Sequence, residues 1–168
     1  MKSSLFIIAP QKFRDEELFE PISILEKAGI GTTVASIGVK LATGVKEGVE
    51  KVDLDIRDVN VMDYDAIIFI GGPGATIYFD HDTAHQIAKD ALTQEKLLAA
   101  ICIAPSILAN AGVLNGVKAT SFPSELDNLI KKGALVQSED LVVDGKIITA
   151  SGPNVATQFG QKILELLV

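Results

Sequence analysis

Residues 97–109, LLAAICIAPSILA, decide the fold, because an apolar strand pattern becomes a helical pattern there with almost no loop between them. Cys102, the only cysteine of the chain, lies at that junction. A sharp strand-to-helix turn exposes a side chain, and the free amides and partial positive charge of a helix N-terminus stabilise a thiolate. A lone cysteine is more often a small buried hydrophobe. Its position at the turn nevertheless favours a reactive thiol, so we predict a nucleophile elbow at Cys102.

Similar apolar runs recur on both sides of this stretch, short and almost continuous, as is typical of strands covered on both faces. They lie at 5–9, 33–36, 66–70, 98–101 and 147–150. Helical periodicities separate them, and a hairpin turn predicted at Asp144-Gly145 adds an antiparallel strand. The glycine-punctuated residues 38–55 are typical of small extra strands. The chain is therefore predicted to be one α/β domain over residues 1–168, a flavodoxin-like three-layer sandwich with a mostly parallel sheet.

The composition limits the possible partners. The formal net charge is -7 over 168 residues, so a nucleic acid or an anionic membrane surface would be repelled. No apolar stretch approaches the roughly 18 to 20 residues that span a bilayer. One cysteine cannot form an intrachain disulfide. We therefore expect a cytoplasmic protein that binds neither nucleic acid nor membrane.

A glycine-rich segment, Gly71-Gly72-Pro73-Gly74, directly follows the apolar run at 66–70. Glycines allow the backbone to come close to whatever occupies the neighbouring crevice. The amides of Gly72 and Ile103 could form an oxyanion hole. A turn that needs positive φ is an alternative, as is a phosphate-binding loop, although the segment has neither P-loop spacing nor a full Gly-x-Gly-x-x-Gly motif.

Glu17 is the carboxyl group that the helical pattern places near the site. At helical spacing it lies with Pro21 on the edge of an apolar face, so partial burial could raise its pKa and let it donate a proton to the thiolate. Pro21 predicts that the regular helix begins near that residue or is kinked there. A glutamate in such a run is more often solvated.

Three segments together resemble the DJ-1/PfpI superfamily, and the resemblance extends over almost the whole chain. They are Glu17 with Pro21, the paired glycines Gly71 and Gly72, and the run Ala99–Pro105, AAICIAP. The resemblance implies that Cys102 is an oxidation-prone nucleophile, that Glu17 is its hydrogen-bonding partner, and that Gly72 and Ile103 are backbone donors. It also implies a homo-oligomer, in the first instance a dimer.

The sequence departs from the superfamily's pattern at three positions. Protease-like members carry histidine immediately after the nucleophile, where this chain has Ile103, and members resembling DJ-1 carry histidine where this chain has Phe122. Protease-like members also use a glutamate from a neighbouring subunit, and the aligned position here is Thr76. A peptidase triad is therefore unsupported.

His81 and His85 are the only histidines, and their i, i+4 spacing could bind a metal on one helix. Asp82, however, has the character of an N-cap that starts the helix after His81. No third ligand of suitable type is evident in the sequence. We therefore predict no metal and no cofactor.

The resemblance implies an enzyme that acts on small reactive carbonyls such as glyoxals, or that releases their adducts from proteins. Cys102 would attack the aldehyde carbon and Glu17 would move the proton. The alternative is a redox-responsive sensor or chaperone in which an oxidant converts Cys102 to a sulfinate without turnover. A third possibility is a binding module whose cysteine is incidental. We favour the enzyme, because a thiolate, an oxyanion hole and a proton donor are a sufficient catalytic set.

Overall fold

The apolar runs of the sequence pair with one another to form a seven-stranded sheet. The computed structural model describes residues 1–168. Its strands are β1 (Ser3–Ile7), β2 (Gln11–Phe13), β3 (Gly31–Ser36), β4 (Leu41–Gly44), β5 (Val49–Lys51), β6 (Leu54–Asp55), β7 (Ala66–Phe69), β8 (Leu97–Ile101), β9 (Lys118–Ala119), β10 (Leu135–Val136), β11 (Leu141–Asp144) and β12 (Ile147–Ala150). Its helices are α1 (Asp15–Lys27), α2 (Asp82–Thr93), α3 (Pro105–Asn110), α4 (Leu126–Lys131) and α5 (Ala156–Leu167).

The large sheet has the strand order β11-β12-β8-β7-β1-β3-β6. All of its neighbouring pairs are parallel except β11 with β12. Residues 38–55, predicted to hold small extra strands, contribute β4 and β5, which join β2 in a three-stranded ribbon, and β6 at the sheet edge. The mostly parallel sheet predicted from the sequence is confirmed.

The hairpin between β11 and β12 lies one residue further along than predicted. Asp144 pairs with Ile147, so Gly145 and Lys146 form the two-residue loop. Gly145 has a φ of +59°, which a two-residue hairpin loop of this kind needs at its first position. Asp144 stays in the strand, and its Oδ2 accepts a hydrogen bond of 2.8 Å from the amide of Lys118.

Helices cover both faces of the sheet, and each face has its own buried cluster. Side chains such as Leu5, Ile67 and Leu98 point to the face covered by α2 and α3. Side chains such as Phe6 and Ile68 point to the face covered by α1 and α5. The alternation along each strand follows from its two-residue period. The three-layer sandwich is confirmed, and it brings the carboxyl ends of β1, β7 and β8 to one edge, where ligands of such sheets bind.

None of the five helices combines the length and apolarity that crossing a membrane requires.

Candidate active site

Cys102 occupies a strained turn between β8 and α3. It follows Ile101 directly and has a φ of +64°, in the left-handed region that non-glycine residues seldom adopt. Two hydrogen bonds hold this conformation: the amide of Cys102 donates to the carbonyl of Ala150 at 2.9 Å, and its own carbonyl accepts from the amide of Phe122 at 2.7 Å. Such strain persists only where surrounding contacts impose it. The nucleophile elbow predicted at this residue is confirmed as a backbone geometry.

Glu17 is completely buried, rather than partly buried at the edge of a face. Helix α1 runs from Asp15 to Lys27 with Pro21 inside it, so of the two alternatives predicted for Pro21, a helix that begins there is wrong. Pro21 packs against α5, where Gly160 has no side chain to keep the helices apart. A Cβ on Gly160 would lie 2.8 Å from the Pro21 Cα. The unbroken helix turns Glu17 inward, beneath the elbow.

The carboxyl group of Glu17 is held between Gly71 and Cys102. Its Oε1 accepts a hydrogen bond of 3.0 Å from the amide of Gly71, while Oε2 has no hydrogen-bond partner. The thiol of Cys102 lies within hydrogen-bonding reach of the same carboxyl group. A Cβ on Gly71 would approach both groups, at 2.6 Å from the Cys102 Cβ and 2.7 Å from Glu17 Oε1. The missing side chain at Gly71 therefore allows the contact.

The amides of Gly72 and Ile103, the two oxyanion donors expected from the sequence, lie close enough to the sulfur of Cys102 to lower the pKa of its thiol. Gly72 has φ +98° and ψ 159°, a combination open essentially to glycine alone. A Cβ there would overlap the amide nitrogen of Arg14 and lie 2.6 Å from the carbonyl oxygen of Lys12. The geometry at the sulfur thus depends on a glycine at position 72.

Gly72→Ala should therefore destabilise the protein by about 3 kcal/mol and slow alkylation of Cys102, because the backbone of residues 12–14 has to move. Urea unfolding and the rate of reaction with iodoacetamide measure the two effects. Gly29→Ala is the matched control, since Gly29 also has a positive φ, +79°, but a Cβ added to it would meet nothing within 4 Å. It should cost about 1 kcal/mol and leave the thiol unchanged. Equal effects of the two substitutions would contradict this account of Gly72.

Burial governs the ionisation of the pair. It raises the pKa of Glu17 to about 8, against the opposing influence of hydrogen bonds from Cys102 and Gly71 and the charge of Arg14. Burial, with the charge of Glu17, likewise raises the pKa of Cys102 to about 12, although the amides of Gly72 and Ile103 act in the opposite direction. The sequence pattern favoured a preformed thiolate at the turn. In the folded protein, loss of hydration opposes the charged form of both groups, and the two amides favour the thiolate.

A cavity of about 250 Å³ opens above the sulfur. Its lining residues are Arg14, Gly72, Pro73, Cys102, Ile103, Phe122, Ser124 and Pro153. A larger hollow of about 700 Å³ lies along residues 38–55, remote from the nucleophile. Neither Arg14 nor Ser124 was predicted from the sequence as a site residue. Arg14 had a signal, since it is a cation three positions before Glu17 in the segment that follows the first strand.

The remaining residues singled out in the sequence lie outside this cavity. Thr76 is exposed, and its hydroxyl donates to the carbonyl of Pro73 at 3.1 Å. His81, not Asp82, is the N-cap of α2: its Nδ1 accepts from the amide of Ala84 at 3.3 Å, so the predicted cap is wrong. The extended backbone of His81 places its ring over the first turn. Nε2 of His85 lies 2.6 Å from the carbonyl oxygen of Phe79. No group of three histidine, cysteine or acidic side chains is arranged to hold a metal ion.

Comparison with known proteins gives consistent matches over the whole chain. The model of the DJ-1/PfpI family matches residues 2–166. The protein MJ0967 of Methanocaldococcus jannaschii is 39% identical over 166 residues, covering 97% of this chain and 81% of that protein. Deglycase PfpI of Pyrococcus furiosus is 31% identical over 163 residues, covering 97% and 98%. The crystal structure of a ThiJ/PfpI domain protein from Brachyspira murdochii superposes with a TM-score of 0.96 at 32% identity, covering 98% of this chain and 95% of that one.

Proposed function

This chain belongs to the DJ-1/PfpI family, and from that premise we propose that it is a cysteine-dependent enzyme of the glyoxalase or deglycase type, acting on small reactive carbonyl compounds. The observation that carries the proposal is the proximity of the single cysteine to a completely buried carboxyl group whose Oε2 has no hydrogen-bond partner. A carboxyl group placed this way is available to carry protons to and from the sulfur's reaction partner. The relative named as a deglycase is consistent with this chemistry.

The first step would be addition of the thiol across the carbonyl double bond. Sulfur forms a bond to the aldehyde carbon, and the electron pair of the double bond moves onto the oxygen, where the amides of Gly72 and Ile103 stabilise the developing charge. One proton leaves the sulfur and one reaches the oxygen. Glu17 takes up the proton from the sulfur and supplies the proton to the oxygen, so its own protonation state is the same after the step as before it. The product is a hemithioacetal.

The hemithioacetal of glyoxal then yields glycolate. The hydrogen on the sulfur-bearing carbon moves as a proton to the neighbouring carbonyl carbon through an enediol, which gives a thioester of glycolic acid. Water hydrolyses the thioester and restores the thiol, so the overall reaction is glyoxal plus water to glycolic acid. For an amine adduct, attack by sulfur would instead break the carbon–nitrogen bond, and the amine would leave with the proton. Ile103 and Phe122 offer no proton carrier, so Glu17 would do all of this proton transfer.

The test is turnover of ¹³C-labelled glyoxal by the wild-type protein, followed by the appearance of glycolate in the NMR spectrum. We expect product to form in proportion to enzyme concentration, and to stop after one equivalent of iodoacetamide has alkylated Cys102. A rate no greater than that in buffer would contradict the proposal.

The second candidate is a redox-responsive protein, and the same arrangement favours it for a different reason. The protonated carboxyl of Glu17 and the amides of Gly72 and Ile103 are donors that could hold the oxygens of a sulfinate. In that case mild peroxide would add two oxygen atoms to Cys102 without any glyoxal turnover. A Glu17→Leu change should make that product much less favoured. Peptidase activity has no such support, because Ile103 stands where the protease-like members carry histidine.

A further inference from the structure

Arg14 is the only charged side chain that lines the cavity above Cys102. Its amide donates a hydrogen bond of 3.0 Å to the carbonyl of Gly71, so its backbone is fixed to the loop that carries the oxyanion donors. Its side chain is about one-third exposed, at 31%. A cation is therefore presented to the cavity from a rigid position.

The ion pair of Arg14 with Glu16 leaves part of the guanidinium available. Nε and Nη2 both donate to the same oxygen, Glu16 Oε2, at 3.0 and 2.8 Å. Nη1 makes no hydrogen bond to the protein. Lys46 also lies 3.4 Å from Glu16 Oε2, so two cations share the carboxylate of Glu16. An incoming anion would meet uncompensated charge and a free donor.

The charge of Arg14 reaches the reacting groups. Its pKa is raised first by the hydrogen bond to Glu16, and the negative charges of ionised Glu17 and Cys102 add to the effect. The other walls of the cavity include Pro73, Phe122 and Pro153, which carry no charge. With a net charge of -7, the protein as a whole repels anions. Any preference for an anionic substrate must therefore come from this local cation.

We infer that Arg14 binds an anionic group of the compound that Cys102 attacks, so that the substrates are aldehydes and ketones bearing a carboxylate, or their adducts with amines. This inference rests on the proposed function, which supplies the reaction at Cys102, and it adds the chemical class of the substrate. The addition step keeps the balance given above: sulfur bonds to the carbonyl carbon, and one proton passes from sulfur to oxygen through Glu17. The carboxylate of the substrate pairs with the guanidinium and takes no part in bond making.

The test compares two alkylating reagents of similar size and different charge, anionic iodoacetate and neutral iodoacetamide. Both form a bond between Cys102 and carbon and release iodide. Arg14→Gln should lower the ratio of the iodoacetate rate to the iodoacetamide rate about tenfold, as expected for the loss of a charge-assisted hydrogen bond. The ratio is the readout because any change in the ionisation of Cys102 affects both reagents alike. Lys46→Gln is the matched control, because it removes a positive charge beside Glu16 but outside the cavity. Equal effects of the two substitutions on the ratio of rates would overturn the inference.

A second variant addresses the case in which Arg14→Gln unfolds because Glu16 loses its two hydrogen bonds from Arg14. The double variant Arg14→Gln/Glu16→Gln replaces the ion pair by two amides and should show the same loss of iodoacetate preference. In the wild type, glyoxylate should protect Cys102 from iodoacetamide better than neutral glycolaldehyde does, and equal protection would count against the inference. These readouts need no turnover. If the iodoacetate preference and the protection by glyoxylate are observed but glyoxal is not converted, the proposed function is wrong and the anion site at Arg14 is supported. If glyoxal is converted but neither effect is observed, the proposed function is supported and the anion site is wrong.

Discussion

Cys102→Ser is expected to abolish glyoxal turnover, with a loss of about a thousandfold or more. The serine hydroxyl is a far weaker acid and nucleophile than the thiol, and the chain has no second cysteine to replace it. Glu17, the group within reach, is a weak base that would have to deprotonate an alcohol. The measurement is the initial rate of glycolate formation from ¹³C-glyoxal at equal protein concentrations.

The controls for this experiment separate chemistry from folding. Serine is close to cysteine in size, so the urea unfolding midpoint should change little. Thr76→Ala should keep wild-type turnover, because Thr76 is exposed outside the cavity although it aligns with a catalytic position of the protease-like members. Turnover that survives in Cys102→Ser would mean that the reaction does not use the nucleophile elbow at all.

Glu17→Gln should raise the free energy of unfolding relative to the wild type, and this gain should be about 4 kcal/mol larger at alkaline pH than at pH 5. Burial raises the pKa of Glu17 from 4.5 to about 8 in the folded state. Between these two values the folded protein holds a proton that the unfolded chain has released, so the free energy of unfolding falls as the pH rises. The stabilisation is complete below about 4.5 and is lost as the pH passes through about 8. The glutamine side chain does not ionise, so the variant does not undergo this fall in the free energy of unfolding.

Urea unfolding of the wild type and of Glu17→Gln between about pH 5 and pH 8.5 measures the difference. Glutamine can keep the hydrogen bond from Gly71 through its Oε1, so the packing should be preserved. Glu26→Gln is the matched control, since it makes the same chemical change at an exposed position of the same helix. Parallel stability curves for wild type and Glu17→Gln would show that Glu17 ionises as it does in the unfolded chain.

The sequence predicted the architecture and the elbow because both depend on local patterns. Short apolar runs alternate with helical periodicities, and the run through Cys102 joins a strand to a helix without a loop. The depth at which Glu17 lies could not be predicted, because it follows from contact with Gly71, which is 54 positions away in the chain. The predicted helix start near Pro21 was wrong for a similar reason, because Pro21 packs against α5 and the sequence does not show that tertiary contact.

The pKa values of Cys102 and Glu17 also could not be predicted from the sequence. Two amides favour the thiolate, while burial and a neighbouring carboxylate oppose it, and only the assembled structure shows that burial dominates. Arg14 was missed although it stands three positions before Glu17, because the local pattern does not tell whether a side chain after a strand faces a cavity or solvent. The cap of α2 depended on the side-chain direction of His81, and the acidic residue beside it is the commoner cap.

We expect Cys102 and Glu17 to titrate as one coupled pair, and the pH dependence of alkylation by iodoacetamide measures this coupling. We predict two rises in the wild-type rate, the first levelling off above about pH 8 as the pair loses its first proton and the second at higher pH. In Glu17→Gln the first rise should be absent, leaving a single thiol titration. Identical profiles for the two proteins, or a thiol that reacts only after unfolding, would contradict the account and leave Cys102 as core packing.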